Sequence, residues 1–250
     1  MSRGWRIVLI LSLAVNLAIL YVGYKALEYR SHINEYLDKY TNVVAEFSQR
    51  EVFAGDNAAL QSDSTVPGRV VFFGTQVTVN WPLADSFGEY EAIGRGVVGQ
   101  RVAGLVLRFW PDVVALGPEA VVIEVSSYNF RSNTTPGEIG EYVATMTALA
   151  RAREIVPVVM TVTPPTADFQ VFEEPDYSVK DTVAAYNRWL RTWAAINHVP
   201  LVDAAAAVSR EDGYLDEKLA SSRVDLNEIG YARVSELIRL ILRAEDVTRR

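Results

Sequence analysis

From residue 69 onward, short apolar runs of strand type alternate with segments of helical spacing, and this alternation constrains the fold more than anything else in the chain. Val70–Phe73 is a first strand and Glu91–Ile93 a short second one. Arg101–Leu116, "RVAGLVLRFWPDVVAL", has helical spacing, with Pro111 breaking or kinking it. Ala120–Val125, "AVVIEV", is a buried strand by composition. Thr135–Glu154 is a helix, with Thr134 or Thr135 as N-cap and Pro136 in its first turn. Val156–Val162 is a strand ended by Pro164 and Pro165, and Val179–Asn197 is a helix. Pro200–Asp203 is a last short strand and Asn227–Ala244 the closing helix. Strands and helices in this order predict an α/β fold, a doubly wound parallel sheet of five strands in three layers, flavodoxin-like.

The chain has 250 residues, half of them hydrophobic, which suffices for a sizeable core. Its net charge is −7 and it has no Lys/Arg-rich run, so a nucleic-acid partner has no electrostatic support. Cysteine is absent, which removes disulfides, thiolate zinc sites and thiol nucleophiles. Only His32 and His198 could supply imidazole. No metal site and no cofactor is expected.

Residues 7–24, "IVLILSLAVNLAILYVGY", carry no charge, and Trp5, Tyr21 and Tyr24 sit near the ends like interfacial anchors. Trp5 to Ala26 is long enough to cross a bilayer. The rival, a cleaved signal peptide, lacks a small-x-small cleavage site after the apolar run. The expectation is a single-pass anchor over 1–26, with the main domain on the periplasmic or extracytoplasmic side. Asn16, at mid-span, is either a tolerated amide or a hydrogen-bond donor to another transmembrane helix. A stalk and polar linker are expected over 27–67. Ile33, Leu37, Tyr40, Val44 and Phe47 form a heptad-like stripe, either self-packed or a partner surface. "GDNAALQSDSTVPG", residues 55–68, reads as linker, so the globular domain is expected over 68–250.

Four stretches carry a family resemblance. "VVFFGTQVT" resembles the strand and Gly-Asp-Ser block of the SGNH (GDSL-type) hydrolases, and "IGRGVVGQ" their second block. "AVVIEVSSYNF" lies where that family reads Gly-x-Asn-Asp, and "SSRVDLNEIGYARV" where it reads Asp-Gly-x-His-Leu-Asn. The resemblance implies that fold over residues 69–244. It places the nucleophilic serine on Gln76, its preceding aspartate on Thr75, and the oxyanion glycine on Gly99. The oxyanion asparagine falls on Tyr128, with Asn129 one place later, and the triad aspartate and histidine fall on Ser222 and Asp225.

Only the glycine matches. An amide is neither nucleophile nor base, and a carboxylate is a far weaker base than imidazole. His198 precedes a parallel strand, whereas chemistry in open α/β sheets lies beyond the C-terminal strand ends. His32 lies on the stalk. Thr75, Ser126 and Ser127 have no base and read as wall residues. These replacements lean against an enzyme and towards a filled or non-catalytic cleft. Thr75, Gln76, Gly99, Tyr128, Asn129 and Asp225 are the expected binding residues. Three functions follow: a non-catalytic accessory or assembly subunit of a membrane complex, a binding module for envelope glycan or acyl-carbohydrate, or an unorthodox esterase or acyltransferase.

Overall fold

A computed structural model gives the backbone of residues 3–61, 66–130, 134–169 and 177–247, and the side chains of all of these except 35–46. The chain divides into two compact units, Met1–Phe47 and Ser48–Arg250.

The first unit is helical. Helix α1 runs Arg3–Ser48, and its portion Arg3–Asn34 is long and apolar enough to cross a membrane. Asn16 donates from Nδ2 to the carbonyl of Ser12, one turn back on the same helix, at 2.8 Å. On the stalk, Ile33 and Phe47 are exposed, and the side chains of Leu37, Tyr40 and Val44 lie outside the described residues.

The second unit holds one parallel sheet. Its strands are β1 (Arg69–Gly74), β2 (Glu91–Gly96), β3 (Ala120–Ile123), β4 (Val156–Met160) and β5 (Leu201–Val202), in the order β2-β1-β3-β4-β5. Every pairing is parallel. Successive side chains of a strand face opposite ways, so a sheet covered on both faces needs continuous apolar runs. Val71, Phe73, Val121, Ile123 and Val159 accordingly enter one core, and Val70, Phe72, Val122, Val158 and Met160 the other. Helices α5 (Val102–Asp112), α6 (Pro136–Arg151) and α7 (Val179–Ile196) cover the first, and α8 (Ala204–Val208) and α9 (Glu228–Ala244) the second.

Local signals account for the helix ends. Thr135 caps α6 in a reciprocal pair with Glu138, at 3.2 and 2.9 Å, and Pro136 takes the first position, where no amide is needed. Asn227 caps α9 by accepting from the Gly230 amide at 3.0 Å. Pro111 lies one residue from the end of α5 and terminates it rather than kinking it.

The polar stretch expected to be a linker departs from that reading. Ala54–Gln61 is helix α2, and Asn57 is buried. Asn57 donates to Asp112 Oδ1 at 2.6 Å and accepts from Arg95 Nε at 2.9 Å. Asp112 in turn pairs at 2.6 Å with Arg108, which is wholly buried and donates to the Gly74 and Arg95 carbonyls at 3.1 and 2.9 Å. A local reading of small polar residues cannot see that a buried arginine and a buried aspartate from elsewhere need this amide. Residues 62–65 lie outside the described ones.

Candidate functional site

The strand order reverses between β1 and β3, because β2 lies to one side of β1 and all later strands to the other. Ligand sites in open α/β sheets form at such a switch point, beyond the C-terminal strand ends. Here that places the turn after Gly74 beside the loop after Ile123.

The turn is shaped by a carboxylate that lies under it. Glu124, just past β3, is buried and accepts from the Thr75 amide at 2.5 Å, from Thr75 Oγ1 at 3.2 Å and from Thr78 Oγ1 at 3.0 Å. A Cβ at position 74 would collide with this carboxyl group and with the Thr78 side chain, so the turn requires glycine. Burial pushes the Glu124 carboxyl above its ordinary range, against the pull of the Thr75 and Thr78 hydrogen bonds. Sequence reasoning passed over Glu124, although one charge inside "AVVIEV" at a C-terminal strand end was a legible signal. Gln76 opens the short helix α3 (Gln76–Val79), and Tyr231 of α9 fixes that helix by donating to the Val77 carbonyl at 2.8 Å.

The positions given by the resemblance come together. Gln76 Nε2 donates to Asp225 Oδ2 at 3.3 Å, and Ser222 Oγ donates to the same oxygen at 2.7 Å. The other oxygen, Asp225 Oδ1, is buried without a hydrogen-bond partner. Gly99 adopts φ 71°, a left-handed conformation that suits glycine, and faces open space on its Cβ side.

An open cavity of about 310 Å³ adjoins this row, lined by Gln76, Val98, Gly99, Gln100, Arg101, Ser126 and Tyr128. Of the two expected states, a filled or a non-catalytic cleft, the first does not hold. Of the six expected binding residues, Gln76, Gly99 and Tyr128 line it. Thr75 is buried against Glu124, and Asp225 stands one hydrogen bond behind Gln76. Asn129 is buried and spent on the backbone, accepting from the Val102 amide at 2.7 Å and donating to the Gln100 carbonyl at 3.3 Å. Tyr128 is partly exposed and packs edge-on against Phe169 at 5.6 Å between centroids. Ser127 Oγ is bound to the Thr163 carbonyl at 2.5 Å, whereas Ser126 Oγ is buried with no partner. Arg101 was missed because nothing in its local sequence separates it from a solvated surface arginine.

His198 precedes β5, at the opposite end of the sheet, and is exposed. Among the described residues no cluster of His, Asp or Glu could hold a metal ion.

A family model described as the GDSL-like Lipase/Acylhydrolase family matches residues 63–233. Among solved structures, a GDSL-like lipase from Bacteroides thetaiotaomicron VPI-5482 is similar at 28% identity and TM-score 0.69, covering 79% of this chain and 99% of its own. A candidate acylhydrolase from Bacteroides fragilis NCTC 9343 is similar at 26% identity and TM-score 0.69, covering 80% of this chain and 98% of its own. No functionally curated protein matches. The expectation that leaned against an enzyme is corrected by these matches, because the family and both relatives are named for lipase or acylhydrolase activity. That expectation rested on the residue types at the positions the resemblance assigns, and set the family's activity below them. By the match over most of its length and by its fold, the chain belongs to the GDSL-like lipase/acylhydrolase family.

Proposed function

We propose that the chain is a hydrolase of acyl esters, held at a membrane by α1, in which water attacks the ester and Asp225 is the base. The observation that supports this reading is the row Gln76–Asp225–Ser222, joined by hydrogen bonds, whose first member lines an open cavity. Residue 76 carries an amide, so no acyl-enzyme forms on it. Asp225 Oδ1, the oxygen that neither Gln76 nor Ser222 occupies, takes a proton from a water that reaches it past Gln76 as the water oxygen bonds to the ester carbonyl carbon. The carbonyl oxygen becomes an oxyanion and accepts hydrogen bonds from the Gly99 amide and the Ser126 hydroxyl, which has no other partner. The intermediate then collapses with cleavage of its bond to the alcohol oxygen. That oxygen takes the proton from Asp225, and the carboxylic acid departs. Gln76 and Ser222 hold the carboxylate in place by donating to its Oδ2.

The full chain in detergent should hydrolyse p-nitrophenyl acetate above a matched Asp225→Asn variant. It should show no burst and no acyl adduct by intact mass. Equal rates for the two proteins would reject the proposal.

A further inference from the structure

We infer that the cavity beside Gln76 selects acyl esters bearing a separate anionic group, a carboxylate or phosphate, and that Arg101 makes the selection. The inference rests on the proposed hydrolase reading for the reaction and for Ser126, and its binding claim adds the charge at the cavity. The first observation is the charge inventory of the cavity. Arg101 is its one cationic lining residue, and no Asp or Glu lines it. The chain as a whole is acidic, at −7, and its domain pairs arginines freely, as in Arg69–Glu91, Arg191–Asp203 and Arg223–Asp168. Among the described residues, Arg101 forms no such pair and is exposed at the cavity rim.

The second observation is the backbone at the same place. Arg101 is the N-cap residue of α5, an eleven-residue helix, and its side chain does not cap. The positive end of a helix dipole therefore lies beside the guanidinium, and both favour an anion. Only the Val102 amide is answered there by a side chain, through Asn129 at 2.7 Å. The third observation is Ser126. Its hydroxyl is buried in the cavity wall with no protein partner, and a buried hydroxyl left unpaired is costly. It calls for a ligand oxygen in this cavity, which the ester carbonyl of the proposed reaction supplies. A cavity of about 310 Å³ is at the small end of ligand pockets, so the ester it holds is short or enters by one end.

The test uses the full chain in detergent, titrated with two matched pairs. Monoethyl glutarate against diethyl glutarate asks for a small soluble anion, and lysophosphatidate against lysophosphatidylcholine asks for a lipid phosphate. The anionic member of at least one pair should bind about tenfold more tightly, the usual size of a charged hydrogen bond, and the pair that responds identifies the source. Arg101→Gln should abolish that preference, and Ser126→Ala should weaken the preferred ester while the melting temperature holds. Equal or undetectable binding across both pairs would overturn the inference, as would a preference that survives Arg101→Gln. Ester turnover is followed in the same samples. An anion preference without hydrolysis would sink the hydrolase reading alone, and hydrolysis without a preference would sink the inference alone.

Discussion

Gln76 and Asp225 lie 149 residues apart and meet through one hydrogen bond, from Gln76 Nε2 to Asp225 Oδ2 at 3.3 Å. In a serine hydrolase the hydroxyl donates to an imidazole at this place. Here an amide donates to a carboxylate, so the direction of donation is the same and the chemistry is exchanged. In the proposed reaction Asp225 is the base, and its substitution is the sharpest test. Asp225→Asn keeps the size of the side chain and removes its proton affinity. Ester turnover should fall by about 10²-fold or more, the usual contribution of a positioned base. The melting temperature should change little, which a steady-state assay and a thermal melt on the same sample would show.

A second prediction uses the same geometry in reverse. The native chain should not react with a fluorophosphonate probe at residue 76, because an amide cannot attack phosphorus. The triple substitution Gln76→Ser, Ser222→Asp and Asp225→His restores hydroxyl, base and orienting acid at positions already in hydrogen-bond reach. It should label at residue 76, located by peptide mass spectrometry. Failure to label with the fold intact would mean that the spacing of the row does not suit a serine.

Glu124 should give stability a pH dependence. Burial raises its folded-state carboxyl above the ordinary value of 4.5, so the folded chain holds that proton more tightly than the unfolded chain does. The contribution is therefore fully present below pH 4.5 and is lost as pH rises from there through the raised value. Glu124→Gln cannot titrate. The stability of the native chain relative to Glu124→Gln should fall as pH rises from 4.5 to 7, by denaturant titration at several pH values. A difference that does not vary with pH would mean that the native carboxyl keeps one protonation state across that range.

Gly74→Ala should destabilise the chain by about 1–3 kcal/mol, the range for overpacking a tight site. The added methyl group meets Glu124 and Thr78, neither of which is a flexible surface side chain. Pairing it with Glu124→Ala should recover part of the loss, because the two changes share one space. Additive melting shifts would place the strain elsewhere.

The sheet was legible because its signals are local. Runs such as "VVFF" and "VPVVM" are buried on both faces, and Thr135, Pro136 and Asn227 announce helix starts by their own chemistry. The row Gln76, Ser222 and Asp225 was legible as positions, since the resemblance supplied the register that joins residues 149 apart. The support of the site was not. Glu124 acts through Thr75 and Thr78, and Ser126 matters only because its hydroxyl is left unpaired, which are facts of packing rather than of pattern. Asn129 looked like a ligand-binding amide and is instead consumed by the backbone of residues 100 and 102. The short helix α4 (Leu83–Ser86) and α3 went unread because four residues are too few to show a period.

The last prediction concerns Asn57 and decides whether residues 54–61 belong to the domain. Its amide answers Arg95 Nε on one side and Asp112 Oδ1 on the other, in a buried network that reaches the Gly74 carbonyl through Arg108. Arg95 already has one buried nitrogen, Nη2, without a hydrogen-bond partner, so the network has little slack. Asn57→Ala would leave a buried guanidinium nitrogen and a carboxylate oxygen each short of a partner, and losses of this kind cost about 1–3 kcal/mol apiece. For a domain of this size that corresponds to a fall in melting temperature of roughly 5–15 °C. Gln61→Ala, at the exposed end of the same helix, should stay within about 0.5 kcal/mol of the native chain and serves as the control. Because the network ends on the Gly74 carbonyl, at the turn that carries Gln76, Asn57→Ala should also lower ester turnover below its melting point, whereas Gln61→Ala should not. If the two variants melt alike, the segment behaves as a linker and its burial contributes nothing to the site.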